Sequence, residues 1–178
     1  MEVLETNISG CFEIQPKMLK DNRGWFLKTF HLDQFRDQGL ETNWEEEYFS
    51  CSNKNVLRGI HFQIPPNEHF KLVTCLNGKV LDVIIDLRKS SSTYLKCFST
   101  ILTDENNKMV YIPKGCGHAF LSLEDNSVLF YKVSTVYSPK NDKGILWNTI
   151  NYDWPISNPT LSPRDTQHPS LNNFINPF

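Results

Sequence analysis

The stretch Lys71-Leu72-Val73-Thr74-Cys75-Leu76-Asn77-Gly78-Lys79-Val80-Leu81-Asp82-Val83-Ile84-Ile85-Asp86-Leu87 decides the fold class. Two runs rich in Val, Ile, Leu and Thr stand on either side of Asn77-Gly78, a turn signal. Runs of the same kind recur at 47–52, 97–103, 109–112, 118–123 and 127–137, separated by Lys89-Ser90-Ser91-Ser92, Asp104-Glu105-Asn106-Asn107 and Glu124-Asp125-Asn126. Many short strands at this spacing predict an all-β sandwich or barrel. One short helix is predicted before them, capped by Asp33 and running through Gln34, Phe35, Arg36 and Asp37 until Gly39 ends it. Five of the ten prolines fall in the last 24 residues, which predicts an extended or short-helical C-terminal wrap over the barrel. Residues 1–178 are therefore read as a single domain.

Composition agrees with that reading. A chain of 178 residues with 39% hydrophobic and 21% charged side chains can close one core and is not a disordered polymer. A net charge of -2 lacks the basic footprint of a general nucleic-acid or anionic-membrane binder. No apolar run approaches the ~20 residues that span a bilayer, and the opening MEVLETNISG does not resemble a secretory signal. The five cysteines are scattered and never form C-x-x-C, so neither a disulfide framework nor a thiolate zinc site is expected, and the compartment is read as reducing cytoplasm. Glycine-rich phosphate loops are absent, so any nucleotide has to be held by side chains in a barrel mouth.

Two clusters carry candidate chemistry: Gly59-Ile60-His61-Phe62-Gln63 followed by Glu68 and Lys71, and Pro113-Lys114-Gly115-Cys116-Gly117-His118. They resemble the two cupin motifs, whose metal-binding form supplies three histidines and a carboxylate. Here Gln63 stands where a second imidazole would be, and a carboxamide is a poor ligand for a divalent transition metal. No metal is expected, and His61 is left available as a base, with an ordinary pKa of about 6.5 suited to taking and returning a proton. A lone strand histidine is more often a hydrogen-bonded core residue. Arg58, His61, Gln63 and Lys71 together shift that balance, because strand alternation gathers them, and a polar cluster inside a small barrel is costly unless it binds something.

Longer stretches make the resemblance specific. Val56-Leu57-Arg58-Gly59-Ile60-His61-Phe62-Gln63-Ile64-Pro65-Pro66, Lys71-Leu72-Val73 and Gly78 through Arg88 resemble the dTDP-4-dehydrorhamnose 3,5-epimerase family. So do Asp21-Asn22-Arg23-Gly24, Tyr111-Ile112-Pro113, Tyr131-Lys132, Gly144-Ile145-Leu146-Trp147-Asn148 and Leu161-Ser162-Pro163-Arg164-Asp165. The resemblance implies a cupin-type jelly-roll β-barrel and a homodimer without metal or cofactor, acting on a nucleotide-linked 4-keto sugar. It also implies that His61 is the base, Asp165 its orienting partner, Lys71 the cation at the enolate oxygen and Tyr131 the acid on the opposite face. Arg58, Arg23 and Arg164 are the implied pyrophosphate contacts, with Phe26, Tyr48, Gln63, His118 and Tyr137 lining the base or sugar subsites. An N-terminal strand around Arg23 to Phe30 is expected to reach the partner's nucleotide site.

Two departures from the family pattern bear on the nucleotide. Lys28 stands where the family carries a carboxylate toward thymine, and Glu46-Glu47-Tyr48 replaces an amide-bearing stretch. An ammonium donates but cannot accept the thymine N3 proton, whereas Glu46 or Glu47 could accept from guanine. The expected substrate is accordingly a GDP-linked 4-keto-heptose of capsule or lipopolysaccharide synthesis. The alternatives are dTDP-4-dehydro-6-deoxyglucose and, in another class, a metal-dependent cupin reaction.

Overall fold

A computed structural model describes residues 1–178. The strands are β1 (Glu2–Glu5), β2 (Phe12–Gln15), β3 (Met18–Asp21), β4 (Gly24–Leu27), β5 (Glu46–Ser52), β6 (Leu57–Gln63), β7 (Lys71–Asn77), β8 (Lys79–Asp86), β9 (Cys97–Thr103), β10 (Met109–Ile112), β11 (Cys116–Ser122), β12 (Ser127–Val133) and β13 (Asp142–Gly144). One helix, α1 (Leu32–Asp37), precedes β5, and three short 3-10 turns punctuate the C-terminal segment. A six-stranded antiparallel sheet in the order β1-β2-β10-β7-β12-β5 faces a five-stranded sheet, β13-β6-β11-β8-β9. The hairpin β3-β4 pairs only with itself. This is the all-β sandwich that the strand spacing predicts, in the cupin-type jelly-roll form that the family resemblance implies.

Alternation explains why the sheets face each other. Val73, Cys75, Ile84, Leu102, Val110, Ile112, Phe120 and Leu129 turn inward and form the largest apolar cluster. The reverse faces are also covered. Residues Ile60, Phe62, Ile85 and Leu87 lie under Tyr152, Trp154, Phe174 and Phe178 of the C-terminal wrap, while Ile14, Leu72 and Met109 pack against Phe35 of α1. With both faces buried, central strands read as continuous apolar runs, and all seven residues of β11 are buried. Asn77-Gly78 is not a simple hairpin turn: it hands the chain from the six-stranded to the five-stranded sheet. Gly78 has φ +77 there, and a Cβ would lie 2.8 Å from Ser127 Oγ.

Several sequence expectations need correction. Asp33 does not cap α1. The N-cap is His31, and Asp33 sits inside the first turn, where a carboxylate favours the positive helix end and pairs with Arg36. The run 127–137 is strand only to Val133, because Ser134 and Thr135 turn back to bond the loop before β7 through Phe70 and Asn67. β1, β2, β3 and β13 have no counterpart in the sequence reading, whereas β4 falls within the N-terminal strand expected around Arg23 to Phe30 and ends at Leu27.

Candidate active site

A cavity of about 310 Å³ opens between the sheets at one end of the barrel. Its walls include Tyr48 and Ser50 of β5, Arg58, His61 and Gln63 of β6, Lys71 of β7, His118 of β11 and Tyr131 of β12, with Tyr137, Asp142 and Arg164 at the mouth. Strict alternation would not put Arg58 and His61 on one wall, since three positions separate them. A bulge does so: Phe120 pairs with Arg58 and His118 with His61, leaving Gly59 and Ile60 opposite Ala119 alone. Gly59 permits this close approach. Its φ is +123 and a Cβ would sit 2.5 Å from the Ala119 Cβ.

His61 lies between His118 and Gly144 across the sheet. Its Nε2 meets Asp165 Oδ1 at 2.5 Å, which fixes the proton on Nε2 and leaves Nδ1 as the nitrogen with a free lone pair. Asp165 comes from the C-terminal wrap. Leu57 N–H donates to Thr160 O at 3.0 Å and Leu146 N–H to Pro169 O at 2.9 Å, tying the wrap to the barrel on either side of it. The carboxylate is buried. Burial pushes it up, but His168, His61 and Ser162 outweigh that and hold it well below the usual carboxylate range. Burial likewise pulls His61 below its ordinary value, despite the opposing pull of Asp165, so the imidazole is neutral and basic at neutral pH.

The facing wall belongs to the six-stranded sheet. Tyr131 stacks on Tyr48 with ring centroids 4.8 Å apart and meets the His118 ring edge-on at 6.0 Å. Burial pushes the phenol strongly upward, so it keeps its proton. Lys71 is buried with Nζ 3.3 Å from the His61 carbonyl. Burial pulls its ammonium down to about 8, against the raising influence of Asp142 and Asp82. His118 is held by Asp82, Nε2 to Oδ1, at 2.6 Å. A neutral base, a cation and a protonated phenol thus line one cavity, the base and the phenol on opposite sheets. This set can remove a proton next to a carbonyl, stabilise the enolate and return a proton from the other side.

Other expected residues have different settings. Gln63 Oε1 accepts from Ser138 N–H at 2.6 Å and its Nε2 donates to Asn67 O at 2.8 Å, so the amide is committed to the loops around the site. Arg164 pairs with Asp142 at 2.8 Å, and Arg58 is anchored by Ser52 and Cys51 O. Arg23, Phe26 and Lys28 do not line this cavity; they belong to or follow the β3-β4 hairpin, where Arg23 pairs with Asp21. Glu46 is also outside it, its carboxylate accepting from Tyr137 N–H at 2.8 Å, and Glu47 pairs with Lys132. Sequence reasoning missed Ser50, His69, Asp82, Asp142 and His168. Only the alternation of Tyr48 with Ser50, and of His69 with Lys71, offered a signal.

The comparisons with known proteins agree with this geometry. Residues 5–173 match the family model described as dTDP-4-dehydrorhamnose 3,5-epimerase. The dTDP-4-dehydrorhamnose 3,5-epimerase of Shigella flexneri is 39% identical over 168 residues, covering 93% of each chain. A crystal structure of dTDP-4-dehydrorhamnose 3,5-epimerase from Elizabethkingia anophelis NUHP1 superimposes with TM-score 0.93 at 32% identity, over 99% of this chain and 98% of that one. A dTDP-6-deoxy-D-glucose-3,5-epimerase of Legionella pneumophila Philadelphia 1, solved in complex with dTDP-4-keto-L-rhamnose, gives TM-score 0.91 at 33% identity over 97% and 93% of the two chains. None of these supports the expected GDP-linked heptose, and neither Lys28 nor Glu46 lines this chain's own cavity. From the match over nearly its whole length, this chain belongs to the dTDP-4-dehydrorhamnose 3,5-epimerase family, and it is a nucleotide-sugar epimerase.

Proposed function

We propose that the chain epimerises dTDP-4-dehydro-6-deoxyglucose at C3 and C5 to dTDP-4-dehydro-L-rhamnose. The observation that carries this is the His61–Asp165 pair facing Tyr131 across a cavity that also holds Lys71. His61 Nδ1 takes the proton from the carbon beside the C4 ketone, and Asp165 offsets the charge of the imidazolium that forms. The C–H electron pair moves into the ring and the ketone oxygen becomes an enolate oxygen opposite Lys71. Collapse of the enolate takes the Tyr131 proton on the other face, inverting the carbon. One C–H bond breaks and one forms, so the reaction is redox-neutral and consumes no nicotinamide or flavin. Solvent exchange resets both residues.

The thymidine nucleotide is supported by the family and by the ligand named for the Legionella protein. Incubation with dTDP- and GDP-linked 4-keto-6-deoxyhexoses in deuterated water tests it. We expect deuterium at both C3 and C5 of the dTDP-linked sugar and little in the GDP-linked one. Exchange confined to the GDP-linked sugar would overturn the assignment.

A homodimer completes this reading. The β3-β4 hairpin stands apart from both sheets and exposes Leu19 at 52%, Trp25 at 60% and Phe26 at 56%. Such an apolar ribbon fits a place against a second copy, where Arg23, Phe26 and Lys28 reach the partner's nucleotide subsite. We expect a dimer in sedimentation and loss of both dimer and activity in a Trp25→Ser, Phe26→Ser variant; a fully active monomer at assay concentration would sink the idea.

A further inference from the structure

His168 is an imidazole beside the site that the epimerisation does not use. It follows the 3-10 turn Asp165–Gln167, and its Nε2 is buried without a hydrogen-bond partner. That nitrogen lies 3.5 Å from Asp165 Oδ1, the same oxygen that meets His61 Nε2 at 2.5 Å. The two imidazoles are edge to face, centroids 5.6 Å apart. The niche is built for the ring: Gly144, the cross-strand neighbour of His61, lies so close that a Cβ there would be 2.4 Å from His168 Nε2. Ligand atoms of His61, Asp165 and His168 all lie within 4.8 Å of one another.

We propose that these three side chains form a binding site for a zinc-like divalent cation, and that the cation inhibits the enzyme: bound to His61 Nε2, it leaves the ring's one proton on Nδ1, the nitrogen that acts as base. Two imidazoles and one carboxylate are a ligand set suited to zinc, with a further position left to water. Tetrahedral bonds of about 2.0–2.1 Å place ligand atoms about 3.3 Å apart. The Asp165–His168 separation already matches, and the Asp165–His61 pair has to open by about 0.8 Å as the metal takes the Nε2 lone pair and the ring proton moves to Nδ1. The set differs from the barrel-interior cupin ligands: it draws two of its three members from the C-terminal wrap and leaves Gln63 and His118 out. Inhibition rests on His61 being the base, as proposed above; binding does not.

Titrating chelator-treated protein with zinc, with uptake read by calorimetry and epimerisation read in parallel, tests both parts. We expect the metal-free enzyme to be active, one zinc to bind per chain, activity to fall in step with occupancy, and EDTA to restore it. His168→Ala should weaken zinc binding roughly tenfold or more, at least the loss that follows removal of a supporting group from a metal site. His168→Gln, which keeps the niche filled, should do the same if the loss is one of ligation. Zinc uptake unchanged in both variants, or no uptake by the wild type, would overturn the site. Zinc bound through His168 with full activity retained would instead overturn the assignment of His61 as base.

Discussion

His61→Asn is expected to abolish deuterium uptake at every carbon of the sugar, lowering the rate by about 10²–10⁴-fold. Asparagine keeps a hydrogen-bonding group near Asp165 but has no nitrogen lone pair basic enough to take a carbon-bound proton. Tyr131→Phe should fail in a different way. With His61, Asp165 and Lys71 intact, proton abstraction continues and the substrate still exchanges with solvent from the His61 side. The missing phenol prevents return from the opposite sheet, so exchange outruns product formation. This separation of exchange from inversion distinguishes a catalytic tyrosine from a core one, because a packing defect would slow both together. Tyr131 has the setting of a core residue, stacked on Tyr48 and belonging to the largest apolar cluster. Near wild-type exchange in His61→Asn would place the base elsewhere.

How far the sequence revealed this site depends on which physical signal carried each residue. β7 and β8 are legible as near-continuous apolar runs buried on both faces, and β9 and β12 as β-rich runs between turn signals whose burial falls on alternate residues. β1 and β2 are hard to read because Glu2, Glu5, Glu13 and Gln15 interrupt them, as suits an edge strand and the strand beside it. His61 and Gln63 followed from alternation, whereas Arg58 joins them through a bulge that no two-residue period announces. Asp165 stands on a 3-10 turn in a proline-rich tail, and only the family resemblance pointed to it. His168 was invisible for a related reason: its position depends on the tail being tied to β6 and on the space at Gly144. The charge reversal at Lys28 misled because a local change was taken to report on a pocket that the same chain does not bring to it.

Lys71→Met should remove activity while making the protein more stable. An ammonium opposite the enolate oxygen acts like an oxyanion-hole donor, whose removal costs about 10²–10³-fold in rate. Its burial has the opposite effect on the fold. A lysine pulled from 10.5 to about 8 binds its proton less tightly in the folded than in the unfolded chain. The folded state therefore carries a penalty of roughly 3 kcal/mol at neutral pH, which fades as pH rises from about 8 to about 10.5. The methionine variant should accordingly melt higher than wild type at pH 7, with the gap closing toward pH 10. Activity has the complementary profile. Lys71 is charged below about 8, so wild-type kcat/KM should fall as pH rises through that value. Tyr131 cannot be the cause, because burial pushes its titration far above this range. On the acid side the rate should hold to below the ordinary histidine value, since His61 is itself pulled down. In Lys71→Met the alkaline limb should disappear from the residual activity. An unchanged alkaline limb in the variant, or a melting point below that of wild type at pH 7, would show that Lys71 serves the fold and that another group meets the enolate.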